Sequence, residues 1–254
     1  MWYRSELKAR AKEVLRGNYW KAFLVSLVIG LATGGGGGSG GSGSSWRNSY
    51  NSGSGYSNWN PEAVAIFGAI AAFLGIIIIA AIGISIFLMG PLEVGGRKYF
   101  IQSAQHFDNR RCFRFAFDGQ NYLGIVGTMF LRSIFTFLWT LLFIIPGIVK
   151  SYAYRMVPYI LADNPNIGAS RAIELSNNMT RGHRFDMFIL DLSFLGWYLL
   201  GLLAFLIGGL FVAPYQYATD AELYLVLRSN AIESGMCNLG ELNLYDPDQT
   251  EYNV

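Results

Sequence analysis

An uncharged run of 27 residues, Ala63 to Met89, constrains more than any other feature what this chain can fold into. A helix needs about 20 apolar residues to cross the hydrocarbon core of a bilayer. Just before the run, Asn60-Pro61-Glu62 supplies a helix cap, a proline at the first helical position and an acid in the first turn. The sequence therefore predicts a membrane-spanning helix, which Gly90-Pro91 should end.

The composition extends this prediction to the whole chain. Of its 254 residues, 52% are hydrophobic and only 14% are charged, with a mean hydropathy of +0.32. Ordinary globular domains are about 25% charged. We therefore expect a polytopic membrane protein with no separate soluble domain. The net charge of +2 gives no electrostatic reason to expect a nucleic-acid partner.

Two later blocks, residues 122–162 and 185–227, are each about twice as long as one span requires. Each has helix-breaking residues near its middle, Pro146-Gly147 in the first and Gly208-Gly209 in the second. Each block is therefore either one long span with a trailing helix or a hairpin of two spans. The first reading gives four spans in the chain and the second gives six.

The distribution of lysine and arginine favours the hairpins. Basic residues concentrate on the cytoplasmic side of membrane proteins. With two hairpins, all but four of the 19 lysine and arginine residues share one side, the exceptions being Arg47, Arg132, Lys150 and Arg155. Single spans would instead place the basic segment 149–184 outside. We expect an all-α bundle of six spans in three hairpins, in the cell membrane, with both termini cytoplasmic.

This threading divides the chain into three parts. Residues 1–21 form a cytoplasmic amphipathic helix, 22–228 a single membrane domain, and 229–254 an acidic cytoplasmic tail. Within the membrane domain, the Gly/Ser-rich segment 34–61 is a flexible outer loop. The connector 163–184 carries a second interfacial helix, which Asp163 or Asn164 caps and Pro165 starts.

The first apolar run allows a cleavable signal peptide as an alternative to a membrane span. The basic segments, in turn, indicate an anionic bilayer surface as a partner. Ala22 to Ala32 is short for a span and follows a basic segment, as in a cleavable signal peptide. The long, helix-patterned leader and the further apolar runs argue against cleavage. The basic cytoplasmic segments would contact the anionic headgroups of the bilayer. No protein partner can be named.

The sequence offers no catalytic, cofactor-binding or metal-binding residues. Cys112 and Cys237 are far apart, and His106 and His183 are equally scattered, so no zinc-binding spacing occurs. A nucleophile elbow and a phosphate-binding loop are also absent from the sequence. We therefore expect a protein that is not an enzyme.

Five ionisable residues are predicted to lie at membrane depth: Arg132, Arg155, Asp191, Asp220 and Glu222. A charge near the centre of a spanning helix costs about 2.5–3.5 kcal/mol on insertion scales. We therefore predict that the two arginines neutralise the three carboxylates in one intramembrane cluster. The cluster could be a fixed structural pairing, or it could line a path for an ion or substrate.

Several motifs carry a resemblance to a known family. They include ELKARAKEVLRGNYW at 6–20, IIPGIVKSYAYRMVPYILADNP at 144–165, AIELSNNMTRGHRFDMFILDLSFLGWYLLG at 172–201 and PYQYATDAELY at 214–224. With these motifs the chain resembles the uncharacterised integral membrane family of mostly Gram-positive bacteria catalogued as domain of unknown function 975. It is more loosely similar to the membrane region of glycerophosphodiester phosphodiesterases, but their catalytic domain is missing. The resemblance implies a membrane location and no particular chemistry.

Two functions follow as expectations. The first is a non-enzymatic membrane scaffold or accessory factor that works through the basic cytoplasmic face and the Gly/Ser-rich loop. The second is a small transporter or channel that uses the charge cluster. A dry, fully paired cluster would favour the first, and a water-filled cavity that reaches Arg155 or Asp220 would favour the second.

Overall fold

The protein is all-helical in the residues that its structure, a computed structural model, describes: 2–33, 61–107, 109, 111–203 and 208–244. The helices are α1 Arg4–Leu15, α2 Tyr19–Ala32, α3 Pro61–Ile84, α4 Gly90–Ala104, α5 Cys112–Ala116, α6 Gly119–Leu142, α7 Ile144–Ala153, α8 Val157–Asp163, α9 Ala169–Met179, α10 Arg184–Leu203 and α11 Gly208–Glu233. A π-helical stretch, Ser85–Met89, joins α3 to α4. The loop predicted at 34–61 lies outside the described residues, except for Pro61.

The prediction that Gly90-Pro91 ends the first long helix is wrong. The chain stays helical from Pro61 through the π-helical stretch into α4, and Pro91 lies in the first turn of α4. Pro91 has no N–H to donate and its ring crowds the preceding turn. A π-helical stretch changes the hydrogen-bonding register at such a point, so the helix continues where a regular α-helix would break.

The chain reverses direction between α6 and α7, close to the predicted break at Pro146-Gly147. Phe143 has extended backbone, with φ −155° and ψ 143°, and ends α6. A Cβ atom added to Gly147 would lie 2.7 Å from the Cα of Thr140. Residues seven apart in one straight helix would be about 10 Å apart. Helix α7 therefore folds back against the end of α6, and only glycine fits at the crossing.

Helix α1 packs on the protein through the face that the sequence predicts to be apolar. Leu7, Ala11 and Leu15 are buried, and α1 lies along α11. Lys8 does not point into solvent, because its Nζ donates a hydrogen bond of 2.7 Å to Ser193 Oγ of α10. One basic side chain of this helix therefore binds within the protein and does not face the membrane surface.

Helix α9 starts four residues later than predicted. Asn164 Oδ1 accepts a hydrogen bond of 2.9 Å from the Asn166 N–H, and this local turn holds Pro165 outside the helix. Gly168, with φ +88°, precedes the first helical residue, Ala169. The helix also lies deeper than an interfacial helix would. Its buried residues are Ala172, Ile173, Leu175, Ser176 and Met179.

The core and the exposed apolar surface lie in different parts of the fold. Tyr159, Tyr224, Phe100 and Phe194 are the largest fully buried side chains. Large apolar side chains are exposed along α3, α6, α7 and α10, including Ile144 and Ile145 at the α6–α7 turn, which are 73% and 77% exposed. Contiguous exposed apolar surface marks a site of contact with a membrane or with a protein partner.

Helix lengths do not confirm the predicted six spans. Among the described residues, α6 is the one helix long and apolar enough to cross a membrane. The apolar stretches Tyr19–Gly30 and Ala65–Ile77 are shorter. The observed architecture is thus a helical bundle with one helix of spanning length and composition.

The beginning of the acidic tail is folded onto the bundle. Helix α11 continues to Glu233, and Cys237 and Leu242 beyond it are buried. Arg171 Nε donates to Glu241 Oε1 at 2.5 Å, and Asn164 Nδ2 donates to the Glu241 carbonyl oxygen at 2.9 Å. The rest of the predicted tail, from residue 245, lies outside the described residues.

Candidate functional site

A break between α7 and α8 presents Arg155 to the interior. Residues 154–156 are not helical, and Pro158 lies in the first turn of α8. The freed backbone groups find partners on α9. The Met156 N–H donates to Ser176 Oγ at 3.2 Å, and the Ser176 hydroxyl donates to the Ala153 carbonyl at 2.7 Å. One buried serine thus replaces the backbone hydrogen bonds that the break removes.

Arg155 lies between two aspartates on different helices. Its Nη1 donates to Asp191 Oδ2 at 2.6 Å, and its Nη2 donates to Asp191 Oδ1 at 2.9 Å. The same Nη2 lies 2.9 Å from Asp220 Oδ1. Asp191 belongs to α10 and Asp220 to α11, so one guanidinium group joins both helices to the α7–α8 break. Its planar set of donors suits such a double contact.

Tyrosine and glutamine side chains complete the surroundings of Asp191. Tyr152 donates its hydroxyl hydrogen to Asp191 Oδ2 at 2.8 Å. Gln216 Nε2 lies 3.5 Å from Asp191 Oδ1, and Tyr198 donates to Gln216 Oε1 at 2.5 Å. Each carboxylate oxygen of Asp191 therefore faces at least one donor, which a carboxylate withdrawn from water needs.

A second set of charges lies beside the first, on α4 and α6. Glu93 Oε1 is 3.6 Å from Arg97 Nη2, and Glu93 Oε2 is 3.5 Å from Arg132 Nη1. Arg97 also donates to the Tyr159 hydroxyl at 3.1 Å, and its guanidinium lies 4.5 Å from the centre of the Tyr217 ring. The buried tyrosines of α8 and α11 separate this set from Arg155.

Together the two sets form what we call the charge network: Glu93, Arg97, Arg132, Arg155, Asp191 and Asp220. It contains three guanidinium groups and three carboxylates, so it is formally neutral. It connects α4, α6, α10, α11 and the α7–α8 break. Most of its side chains are well shielded, with 5% exposure for Asp220 and 11% for Glu93.

The structure brings together only part of the predicted cluster. Arg155, Asp191 and Asp220 are in direct contact. Arg132 instead pairs with Glu93. Glu222 lines a separate cavity. It is two residues after Asp220 on α11, and two residues of a helix correspond to a rotation of roughly 200°, so the two carboxylates lie on opposite sides of the helix. The predicted grouping of all five residues therefore needs correction at Arg132 and Glu222.

Sequence reasoning missed Glu93 and Arg97. Both lie within residues 93–120, one of the basic cytoplasmic segments that we expected to contact lipid headgroups. Their spacing was an available signal, since glutamate four residues before arginine forms a pair on one helix face. A carboxylate four residues after the end of the 27-residue uncharged run also indicates a charge that the fold must neutralise.

A further buried ion pair lies at the start of the connector. Asp163 Oδ2 accepts hydrogen bonds from the Tyr224 hydroxyl at 2.6 Å and from Arg228 Nη1 at 2.9 Å. The Tyr224 and Tyr159 rings stack with centroids 5.3 Å apart. This pair attaches the end of α8 to α11, close to where the tail folds back.

Outside the apolar region, the pair between Arg171 and Glu241 shows a clear electrostatic effect. The hydrogen bond from Arg171 lowers the pKa of the Glu241 carboxyl below its ordinary value. The same hydrogen bond raises the pKa of Arg171. The pair therefore favours the ionised form of Glu241 and holds residue 241 against α9.

The chemistry that this arrangement allows is limited. In the charge network, every carboxylate faces a guanidinium group, which leaves each of them poorly placed to act as a free general base. No group of three histidine, cysteine or acidic residues that could hold a metal ion occurs within the described part of the chain. The geometry is therefore best suited to holding helices together or to electrostatic binding.

Comparison with known proteins gives a family and no activity. No curated protein and no solved structure matches the chain. The looser likeness to glycerophosphodiester phosphodiesterases is not supported. Residues 141–231 match the family described as "Protein of unknown function (DUF975)". This matched region runs from the α6–α7 turn to α11 and contains Arg155, Asp191 and Asp220. Over these residues, the chain carries the region by which that uncharacterised family is recognised.

Proposed function

We propose that this protein is a multi-pass membrane protein that serves as a scaffold or accessory factor and catalyses no reaction. The observation that carries this proposal is the neutral, mutually paired charge network. Within each of its two sets, every carboxylate pairs with a guanidinium group, and the pairs join helices to one another, which is how charges are stabilised in an apolar bundle whose helices keep one arrangement.

The proposed threading has six spans in three hairpins, with both termini in the cytoplasm. The reversal at Phe143 supports the second hairpin, with α6 as its first limb and α7 plus α8 as its second. The exposed apolar side chains of α3, α6, α7 and α10 support contact with lipid. In this threading, the break at Arg155 lies at membrane depth. Irregular backbone is tolerated there only where protein encloses it, and the break at Arg155 is buried in the bundle.

The basic cytoplasmic face is the surface through which we propose the protein acts. Exposed arginines and lysines lie on α1, on the turn after it, in the first turn of α2 and around α5, at Arg10, Arg16, Lys21, Arg111 and Arg114. All of them share one side in the proposed threading. That side contacts the anionic headgroups of the inner leaflet and remains available to a protein partner.

Site-specific photocrosslinking in cells tests the scaffold role. A photoreactive residue replaces Arg114 on the basic face or, as the matched control, Ile145 at the α6–α7 turn. We expect one discrete protein adduct from position 114 and none from position 145. The same adduct should persist when the charges of Arg155, Asp191 and Asp220 are removed in R155M/D191N/D220N. Equal adducts from both positions, or none from either, would contradict a partner-binding cytoplasmic face.

The alternative function is a small transporter or channel that uses the charge network. The observation in its favour is that the Asp191 side chain is 27% exposed, so the network reaches the protein surface. Ion and amine flux in proteoliposomes distinguishes the two functions. A scaffold gives no saturable flux, whereas a transporter gives flux that the folded R155M/D191N/D220N variant loses.

A further inference from the structure

A cavity of about 460 Å³ lies on the opposite side of α11 from the charge network. It is formed by α1, the end of α4 and the C-terminal half of α11, and its volume falls within the usual range for small-ligand sites. Its polar lining comes from Arg10, Glu13, His106, Glu222, Ser229 and Asn230. It is separate from the proposed scaffold role, and its test is independent of that role.

Glu222 is the unusual residue of this cavity. It is only 5% exposed, yet it has no hydrogen bond or ion pair in the part of the chain that the structure describes. Buried carboxylates in proteins are nearly always paired. Because Glu222 lines a cavity, a ligand in that cavity can supply the hydrogen-bond or ion-pair partner that its carboxylate lacks within the fold.

The remaining lining defines the charge and shape of that ligand. Glu13 adds a second carboxylate, whereas the guanidinium of Arg10 is already paired with Glu6 at 2.5 Å. Negative charge is therefore in excess. Val14, Ala104, Leu225 and Val226 supply apolar walls beside the polar groups. An ammonium group brings three donors, and the two carboxylates, Ser229 and Asn230 offer oxygen acceptors for them.

We propose that this cavity binds a ligand with a primary ammonium group on a short alkyl chain, and that Glu222 is the counter-ion of that group. The same chemistry has two sources, a free alkylamine or the ammonium headgroup of a phospholipid. The cavity reaches α1, which lies at the cytoplasmic interface in the proposed threading, so either source has access.

Thermal unfolding of the purified full chain tests the proposal. In detergent at constant ionic strength, 1,4-diaminobutane should raise the unfolding temperature in a saturable manner, whereas uncharged 1,4-butanediol should not. In nanodiscs, phosphatidylethanolamine should stabilise the protein more than phosphatidylcholine, whose headgroup nitrogen has no N–H, if the lipid is the source. Stabilisation by either amine source supports the proposal, and stabilisation by neither overturns it.

Two substitutions locate the site. Glu222→Gln should weaken amine binding by at least about tenfold, because the ligand loses its buried counter-ion. Glu174→Gln makes the same chemical change on an exposed residue of α9 that does not line the cavity, and it should leave binding unchanged. If Glu222→Gln does not fold, Ala104→Leu provides a second test, since it fills the cavity and should also abolish binding. Binding that survives in a folded Glu222→Gln or Ala104→Leu variant contradicts the assignment.

Discussion

At the scale of single residues, Arg155 holds two carboxylates that would otherwise repel each other. Asp191 and Asp220 both lie within 3 Å of its guanidinium group. Removing one partner of a buried ion pair costs more than removing the whole group, because the other charges stay buried without compensation. The stability of the bundle should therefore depend on whether the charges of Arg155, Asp191 and Asp220 compensate one another, and not only on whether these residues are present.

The corresponding prediction compares one substitution with three. Arg155→Met should destabilise the protein by about 3–5 kcal/mol, since both aspartates lose their counter-ion. R155M/D191N/D220N should recover a large part of that loss because no aspartate is left without its counter-ion. Chemical unfolding in detergent micelles measures both variants. A triple variant as unstable as the single one would show that the network does not act by charge balance.

Ser176 gives a second residue-scale prediction. Its hydroxyl joins the Met156 N–H to the Ala153 carbonyl across the helix break. Ser176→Ala should cost about 1–3 kcal/mol, since a buried donor and acceptor lose their partners. Ser170→Ala, on an exposed position of the same helix, is the matched control and should have little effect. Equal unfolding free energies for the two variants would contradict the proposed support of the break.

At the scale of elements, the α6–α7 turn depends on one close contact. Gly147 lies so near Thr140 that a Cβ atom would meet backbone at 2.7 Å. Gly127, on α6, has open space around it, with no heavy atom within 4 Å of an added Cβ. The two glycines therefore provide a matched pair in the same hairpin.

Gly147→Ala should destabilise the protein by about 1–3 kcal/mol, because α7 must move away from α6 to make room. Gly127→Ala should be neutral or slightly stabilising, since alanine favours helix and nothing is displaced. Unfolding temperatures of the two purified variants provide the comparison. If Gly147→Ala behaves like Gly127→Ala, the two helices do not cross as closely as the structure has them.

The attachment of the tail to α9 predicts a pH dependence. The folded pKa of Glu241 lies below its unfolded value of about 4.3. The stability from this group is therefore fully present above that unfolded pKa and is lost as the pH falls through the folded pKa.

The difference in unfolding temperature between the wild type and Glu241→Gln should stay constant from about pH 8 to pH 5 and shrink below about pH 4. Glu174→Gln is the control, since that carboxylate is more exposed and its distance to Arg171 is longer. A difference that grows as the pH falls would have the wrong sign and would contradict the assigned pair.

At the scale of the whole molecule, the proposed threading places the α6–α7 turn outside the cell and α9 inside. In a background in which Cys112 and Cys237 are replaced by alanine, Ile144→Cys should react with an impermeant thiol reagent in intact cells. Glu174→Cys should react only after the membrane is opened. Both side chains are exposed on the protein surface, and in the proposed threading Ile144 lies at the turn, at the outer end of the lipid-facing α6 and α7, so neither result would reflect burial. Labelling of Glu174→Cys in intact cells would overturn the threading.

Some of the fold and part of the site could be predicted from the sequence. The helical class, the apolar face of α1 and the approximate position of the break between α6 and α7 follow from local patterns, which require no knowledge of distant residues. The charges at Arg155, Asp191 and Asp220 stand out because each interrupts an apolar segment. Which carboxylate meets which arginine could not be predicted, because depth along a helix does not specify its rotation.

The sequence by itself determined that this chain is helical, strongly apolar and charged at only a few interior positions, because residue type and spacing decide those properties locally. Only the tertiary structure decided that Arg132 pairs with Glu93, that Ser176 supports the break at Arg155, and that Glu222 faces a cavity of its own. The physical reason is that such contacts join residues far apart in the chain. They depend on how the helices rotate and cross, and packing sets those angles for the whole bundle at once.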